Sequence, residues 1–299
     1  MENRIIILIF ILFPIFAFAQ QDTSLNVKTS TVIYNNRQIA YGGLELFYGG
    51  GIPTYKDINS IFNNTGNINA SIFIYLRGVD RYIPKGGMKL NDFIKFSIDF
   101  DYYNNSISLL SSQNEKINSK IISIRPDITY SLGFEFEKFK IIPYVNIPLV
   151  DFFNSMNFVS YSSSQDNDSK KLDVFTENIK SGYTRNNGII FGINDSYTIN
   201  IGYKHTLIYP KHLVMKDIGS WAIDATSHLI SSFISLMFFD TKKNTLTNNI
   251  GYGVMTYILQ NTASVMFQYL RKTKGMNWPF TSEKPLSIET IRIGAGIIF

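Results

Sequence analysis

The sequence predicts an all-β fold, namely a transmembrane, antiparallel, up-and-down β-barrel of about ten strands with one helical segment in a long loop. Three observations predict it. Apolar residues recur at every second position over segments longer than the usual strand of about five or six residues. Phe and Tyr are abundant, with 24 and 18 residues. Short and long connections alternate along the chain, as they do when tight turns lie at one rim and long loops at the other.

The first nineteen residues, MENRIIILIFILFPIFAFA, have the pattern of a secretory signal peptide. Arg4 precedes an apolar stretch that begins at Ile5 and closes on small residues up to Ala19. This stretch is shorter than the roughly 20 residues that a spanning helix needs, and Pro14 interrupts it. We therefore expect cleavage after Ala19 rather than a retained anchor.

The composition excludes several classes of protein. The chain has no cysteine, which rules out a disulfide framework, a thiolate metal site and a cysteine nucleophile. Its formal charge of +5 is spread along the chain without a basic stripe. We therefore expect no nucleic-acid partner.

The clearest strand covers residues 121–137, IISIRPDITYSLGFEFE. Its even-numbered positions are apolar, and its odd-numbered positions from Ser123 onward are small, polar or charged. This two-residue repeat belongs to a strand and not to a helix of 3.6 residues per turn. A soluble sandwich also alternates, but membrane-spanning strands need about 9–11 residues, and this length favours a barrel with its apolar face toward lipid.

The same sorting by parity gives ten strands. They lie near residues 41–52, 68–78, 93–104, 120–136, 139–151, 188–193, 197–209, 249–259, 262–272 and 287–299. Tight turns are predicted at 137–138, 194–196 and 260–261, and long polar connections at 153–187, 210–248 and 273–286. An even number of strands leaves both ends of the chain on one side of the membrane.

The last strand ends on an aromatic residue after an alternating apolar run. Its apolar positions are Ile291, Ile293, Ala295, Ile297 and Phe299. This stretch resembles the carboxy-terminal signal of Gram-negative outer-membrane β-barrel proteins. The resemblance implies location in the outer membrane, recognition by the barrel-assembly machinery and closure of the last strand against the first. Residues 20–40 then form a periplasmic lead-in, and residues 41–299 form the outer-membrane barrel domain.

One segment departs from strand periodicity. In residues 217–239, polar residues recur at a three-four spacing, with apolar residues on the opposite side. This pattern predicts an amphipathic helix that caps the barrel mouth or lies at the membrane surface. The rival interpretation is an additional hairpin, which would give twelve strands.

No motif for catalysis or for metal or cofactor binding is found. Outer-membrane phospholipases, by resemblance, would show a histidine with a serine two residues later. His205, His212 and His228 all lack it. No two histidines have a metal-ligand spacing, and we expect no catalytic residue, no metal and no cofactor.

Charged residues on the inward parity are the remaining candidates for function. We expect the following residues to line the lumen: Arg77, Lys95, Asp99, Asp101, Arg125, Asp127, Glu135, Lys140, Lys204 and Arg292. They either pair across the lumen and plug it, or line a narrow polar pathway for small solutes.

Two functions stay open from the sequence. The first is a non-enzymatic barrel that acts through its lumen, or through extracellular loops that bind a surface or join an envelope complex. The alternative is an envelope-lipid-modifying barrel enzyme. The expected partners are outer-membrane lipid, the barrel-assembly machinery and envelope proteins that contact the loops.

Overall fold

The computed structural model describes residues 33–35, 39–57, 62–83, 88–109, 117–135, 139–146, 155–163, 166–176, 178–193, 196–239 and 246–299. The strands are β1 (Ile33–Asn35), β2 (Ile39–Thr54), β3 (Thr65–Ile83), β4 (Met88–Asn104), β5 (Ile117–Glu135), β6 (Phe139–Asn146), β7 (Ser155–Ser163), β8 (Lys180–Ile193), β9 (Tyr197–Ile208) and β10 (Leu286–Ile298). The α-helices in these ranges are α1 (Asp166–Thr176), α2 (Val214–Phe238) and α3 (Leu246–Lys274).

The strands form one ten-stranded antiparallel sheet that closes on itself. Closure follows because β10 pairs with both β9 and β2, and β3 pairs with both β2 and β4. The ten strands fill eight positions around the ring. β1 and β2 lie end to end beside β3 and share one position, and β6 and β7 lie end to end between β5 and β8 and share another. The predicted antiparallel barrel of about ten strands is confirmed.

The two faces of the wall have opposite chemistry. Exposed apolar side chains cover the outer face of most strands, for example Leu46, Ile72, Phe96, Ile98, Ile199, Ile201, Ile291 and Ile293. The alternate positions point inward and carry buried polar or charged side chains, for example Asn69, Ser71, Asp99, Arg125, Asn200 and Arg292. A soluble protein would bury the first set and expose the second. The wall is therefore that of a transmembrane barrel.

The two ends of the barrel also differ. At one end, which we call the turn end, few residues join β3 to β4, β5 to β6 and β8 to β9. The pairing of Glu135 with Lys140 is the register that a two-residue turn at 137–138 requires. At the opposite end, which we call the loop end, the connections are longer and contain all three helices.

Helix α1 caps the loop end of the barrel. Its Leu172 and Phe175 are almost fully buried, and they pack among inward-facing residues that include Ile117 and Ile121. The sequence predicted a long polar connection over residues 153–187 that contains none of the ten strands. That prediction is wrong, because β7, α1 and the first half of β8 occupy this range and the apolar side of α1 closes the barrel mouth.

Helices α2 and α3 form an antiparallel pair, which we call the hairpin, on the outer wall. Asn186 of β8 donates a hydrogen bond to Asp127 in the lumen (3.4 Å), so the odd-numbered Tyr183 and Arg185 of the same strand point outward. Arg185 bonds with Asp224 of α2 at 2.8 Å. Within the described ranges, no helix is both long and apolar enough to cross a membrane.

The structure corrects two predicted strands. Residues 249–259 and 262–272 belong to the single helix α3, and the predicted turn at 260–261 lies in its middle. A buried stripe of α3 is spaced by three and four positions, and it consists of Val254, Tyr257, Asn261, Ser264, Gln268 and Arg271. Thr256 and Phe267 are buried beside it. Helical packing of this stripe against α2 and the wall prevails over the strand propensity of the β-branched and aromatic residues in the segment. The predicted helix at 217–239 is confirmed as α2.

The amino-terminal boundary also moves. Residues 33–35 pair with β3, and β2 begins at Ile39, so part of the predicted lead-in belongs to the sheet. The predicted signal peptide lies outside the described residues.

Candidate functional site

The lumen contains a buried network of ion pairs at its middle. Arg125 of β5 binds Asp99 of β4 and lies 4.0 Å from Asp127 on its own strand. Lys95 pairs with Glu45 of β2, and it approaches the ring of Phe73 to 4.7 Å. The Arg125–Asp99 pair joins neighbouring strands, whereas Lys95 and Glu45 lie on strands separated by β3.

Two further cations complete this network. Lys204 of β9 pairs with Asp101 of β4, on the opposite side of the ring. Arg292 of β10 stacks on Phe47 at 4.1 Å, and its Nη1 donates to Asn69 at 3.4 Å. The buried lumenal charges in the described part of the chain are four cations, Lys95, Arg125, Lys204 and Arg292, and four carboxylates, Glu45, Asp99, Asp101 and Asp127. Equal numbers of opposite charges make their burial tolerable, because each charge has a counter-charge close by.

Apolar layers lie on both sides of the ion pairs. At the loop end, Leu172 and Phe175 of α1 fill the mouth. At the turn end, the inward side chains of Phe73, Tyr75 and Phe93 pack with residues of β6 and β8. Between the layers, one cavity lined by Asp99, Asp127, Arg292 and their neighbours leaves about 10 Å³ for the centre of a water molecule. That is room for about one water at this level of the lumen.

Three predicted lumen residues lie toward the turn end. Glu135 and Lys140 pair across β5 and β6 at 3.1 Å and are only partly buried. Arg77 lies on β3 opposite Ile39, and its side chain falls outside the described residues. The ion-pair network brings together Lys95, Asp99, Asp101, Arg125, Asp127, Lys204 and Arg292, whereas Glu135 and Lys140 form a separate pair nearer the turn end.

A second buried charge cluster lies outside the barrel, under the hairpin. We call Tyr183, Arg185, Ser220, Asp224 and Arg271 the outer polar cluster. Asp224 of α2 accepts hydrogen bonds from Arg185 at 2.8 Å, from Arg271 of α3 at 3.1 Å and from the Tyr183 hydroxyl. The Arg271 guanidinium stacks on the Tyr183 ring at 4.1 Å and donates to the Ser220 hydroxyl at 3.1 Å. This cluster fastens both helices to the wall.

A further ion pair and a hydrogen bond lie beside the cluster. Lys272 of α3 binds Glu289 of β10 at 2.6 Å. His205 Nε2 lies 2.8 Å from the Ser287 hydroxyl on the neighbouring strand. Sequence reasoning missed this histidine–serine pair because it searched along one strand, whereas the partners meet across two. Ser287 is fully buried and His205 is 5% exposed, so the pair is closed to substrate in this conformation.

His212 contacts a serine and an aspartate at the loop end. Its Nδ1 is 3.2 Å from the Ser181 hydroxyl and 2.9 Å from the Asp217 carboxylate. Both oxygens meet the same ring nitrogen, so the ring cannot relay a proton from the serine to the aspartate as a catalytic triad does. Burial raises the pKa of the Asp217 carboxyl above its ordinary value, and Asn277 and His212 oppose this effect.

The predicted assembly signal lies on the closing strand. Ile291, Ile293, Ala295, Ile297 and Phe299 all point outward and are exposed. The backbone of Phe299 exchanges two hydrogen bonds with Gly42, at 2.9 and 3.2 Å, where β10 meets β2. Among the described residues, no group of three His, Asp or Glu side chains could hold a metal ion.

Comparisons with known proteins add little. No protein-family model matches the chain, and no curated protein matches it. Among solved structures, the chain is similar to the crystal structure of Ail, the attachment invasion locus protein of Yersinia pestis, at 7% identity over 87% of this chain and 99% of that chain. The TM-score is 0.22, which is too low to support an inference about this chain.

Proposed function

We propose that this chain is an outer-membrane β-barrel with a closed lumen, which acts through its outer surface and loop end and not as a pore. It would bind a surface or serve as an accessory of an envelope complex. The filled lumen carries the proposal, because buried ion pairs lie between an apolar plug at the loop end and an aromatic layer at the turn end. A solute would have to break buried ion pairs to pass, at roughly 3–5 kcal/mol for each broken pair.

Conductance tests the closed lumen. The purified barrel, reconstituted in planar bilayers beside a general porin as positive control, is expected to give no steady current. The matched variant Leu172→Ala/Phe175→Ala removes the apolar plug and leaves the ion pairs in place. We expect it to stay closed as well, since the charged layer closes the lumen independently. A steady single-channel current from the wild-type protein would overturn the proposal.

Three features support the outer membrane as its location. The wall is apolar outside and polar inside, and the sequence carries a signal-peptide pattern and a closing strand that ends on an aromatic residue. Membrane fractionation tests the location, together with a change of gel migration on heating. Recovery of the folded chain in the soluble periplasmic fraction would contradict it.

One observation favours a second candidate, an envelope-lipid-modifying enzyme. The His205–Ser287 pair lies on the outward side of the wall, where a lipid ester could approach if the hairpin moved. Incubation of the protein with phospholipids and with lipid A tests this candidate, with Ser287→Ala as control. A turnover that Ser287→Ala abolishes would favour the enzyme, whereas no turnover favours the non-enzymatic barrel.

A further inference from the structure

We infer that the hairpin lies inside the hydrocarbon layer, against the outer wall of the barrel, and that lipid acyl chains cover its outward face. The inference rests on the barrel's spanning a membrane and is independent of whether its lumen conducts. Four observations carry it: the reversed amphipathicity of α2, the absence of charge along α3, the length of the apolar stretch and the position of both helices on the wall.

Helix α2 buries its polar side and exposes its apolar side. The buried residues form one stripe, Ser220, Asp224, His228, Ser231 and Ser235. The opposite side carries Leu229, Ile230, Phe233, Leu236, Met237 and Phe238, with exposed fractions of 45–73%. A helix on a water-soluble surface has the reverse arrangement. Polar side chains of helices in a membrane turn toward protein, as this stripe does.

Helix α3 carries no charged residue between Leu246 and Leu270. Its exposed side chains within residues 251–270 are Met266, Tyr269 and Thr262, and the Thr262 hydroxyl donates to the Ile258 carbonyl at 2.9 Å. Its polar side chains Asn261, Ser264 and Gln268 are buried. The charges of the hairpin lie at its ends. Lys216 and Asp217 begin α2, Arg271, Lys272 and Lys274 end α3, and Asp240, Lys242 and Lys243 lie in the sequence between the helices. The one internal charge, Asp224, is held in ion pairs with two arginines.

The stretch between the charges that flank α2 has about the length of the hydrocarbon layer. Its polar stripe leaves it too polar to cross a membrane alone, so it would lie in the hydrocarbon only with that stripe against the wall. Residues 218–239 separate the charges at the start of α2 from those that follow it. At about 1.5 Å per residue, such a helix is about 33 Å long, close to the hydrocarbon thickness of about 30 Å. Lys216 and Asp217, at the start of α2, would then lie near the polar interface at the loop end.

The hairpin runs along the barrel from the loop end toward the turn end. Arg271 meets Tyr183 near the start of β8, while α3 also contacts β6, which pairs with the second half of β8. Gln260 of α3 donates to Ser232 of α2 at 3.2 Å, which keeps the helices together at mid-height. The outward face of α2 thus continues the exposed apolar band of the barrel. Acyl chains that surround the band also reach the hairpin.

Site-directed spin labelling tests the inference in the full-length protein. Because the chain has no cysteine, one introduced cysteine is a unique labelling site. Phe233→Cys probes the outward face of α2, Ile72→Cys on β3 gives the lipid reference, and Lys170→Cys on α1 gives the aqueous reference. We expect the Phe233 label, in phospholipid vesicles, to collide with oxygen and avoid a nickel chelate as the Ile72 label does.

Two results would overturn the inference. Nickel collisions as frequent as those at Lys170 would place the hairpin in water. Few collisions with either oxygen or the nickel chelate would mean that a protein and not lipid covers this face. Leu229→Cys, which lies on the same face and is 65% exposed, replaces Phe233→Cys if that variant does not show heat-modifiable migration. A conducting lumen would overturn the proposed function and leave this result unchanged.

Discussion

Replacing Asp224 by Asn tests whether buried ion pairs attach the hairpin to the barrel. Asp224 is fully buried, and it is the shared acceptor of Arg185 at 2.8 Å and Arg271 at 3.1 Å. Asn keeps the shape and removes the charge, so both guanidinium groups lose their counter-charge in a buried site. Breaking a buried pair costs about 3–5 kcal/mol. Because about 1.4 kcal/mol corresponds to a factor of ten in an equilibrium constant, we expect the equilibrium constant for attachment of the hairpin to the wall to fall by roughly a hundredfold or more.

The assay uses two signals that report on different parts of the molecule. The two tryptophans are Trp221 in α2 and Trp278 after α3, so tryptophan fluorescence reports on the hairpin region. Heat-modifiable gel migration reports on the barrel. In a urea titration, the free energy of unfolding falls by roughly 1–3 kcal/mol per M of urea. A loss of about 3–5 kcal/mol therefore lowers the urea midpoint of the fluorescence transition by about 1 M or more. We expect the gel transition of Asp224→Asn to stay at the wild-type urea concentration.

The control is Thr226→Val, which changes an exposed side chain of the same helix to one of similar size that either water or lipid tolerates. It should change stability by no more than about 0.5 kcal/mol. A fluorescence midpoint for Asp224→Asn within that range of the control would refute the reasoning. If both transitions shift together, the hairpin is not a separate unit and the cost falls on the whole barrel.

Three further predictions address the wall, the closing strand and the cap. Ile72→Arg on the outer face of β3 should lower barrel stability by about 2–4 kcal/mol in vesicles, because an arginine would face lipid, and Ile72→Val should be nearly neutral; similar urea midpoints would contradict a lipid-facing wall. Deletion of Phe299 should reduce the folded barrel recovered from outer membranes, since its backbone pairs with β2, and an unchanged yield would contradict its role in closure. Trypsin added to intact cells should spare Lys170–Lys171 in the wild-type chain and cut there in Leu172→Asp, because Leu172 holds α1 in the barrel mouth; equal cleavage would mean that α1 is not docked.

The sequence predicted the barrel well because the wall obeys a strictly local rule. Along the middle of β2 to β5, and likewise of β9 and β10, apolar outward residues alternate mainly with polar inward ones, so parity assigns the faces. The inward side of Lys95, Arg125 and Arg292 followed from the same rule. The ion-pair partners of these residues could not be predicted in this way. Pairing across the barrel depends on the register between strands, and parity does not determine that register.

Two segments were misread because a second rule applied. In α3, Val254 and Phe267 fit a two-residue alternation, but the same segment spaces Asn261, Ser264 and Gln268 by three and four. Short apolar runs fit a strand and a helix equally, and contact with α2 and the wall decides between them. In α1, polarity around Asp166 concealed Leu172 and Phe175, which are sufficient to anchor one side of a short helix.

The exceptions to the parity rule indicate where the hairpin binds. Arg185, His205 and Glu289 occupy outward positions on three adjacent strands, where lipid-facing residues are expected. Their register places them side by side, because Arg185 pairs with His205 and His205 pairs with Glu289. A row of polar side chains facing hydrocarbon would be costly, so it has to be covered by polar groups. Helices α2 and α3 supply them through Asp224 and Lys272, which bind Arg185 and Glu289. The polar stripe of α2 and the polar row of the wall are thus complementary parts of one interface, and each explains why the other departs from the usual pattern.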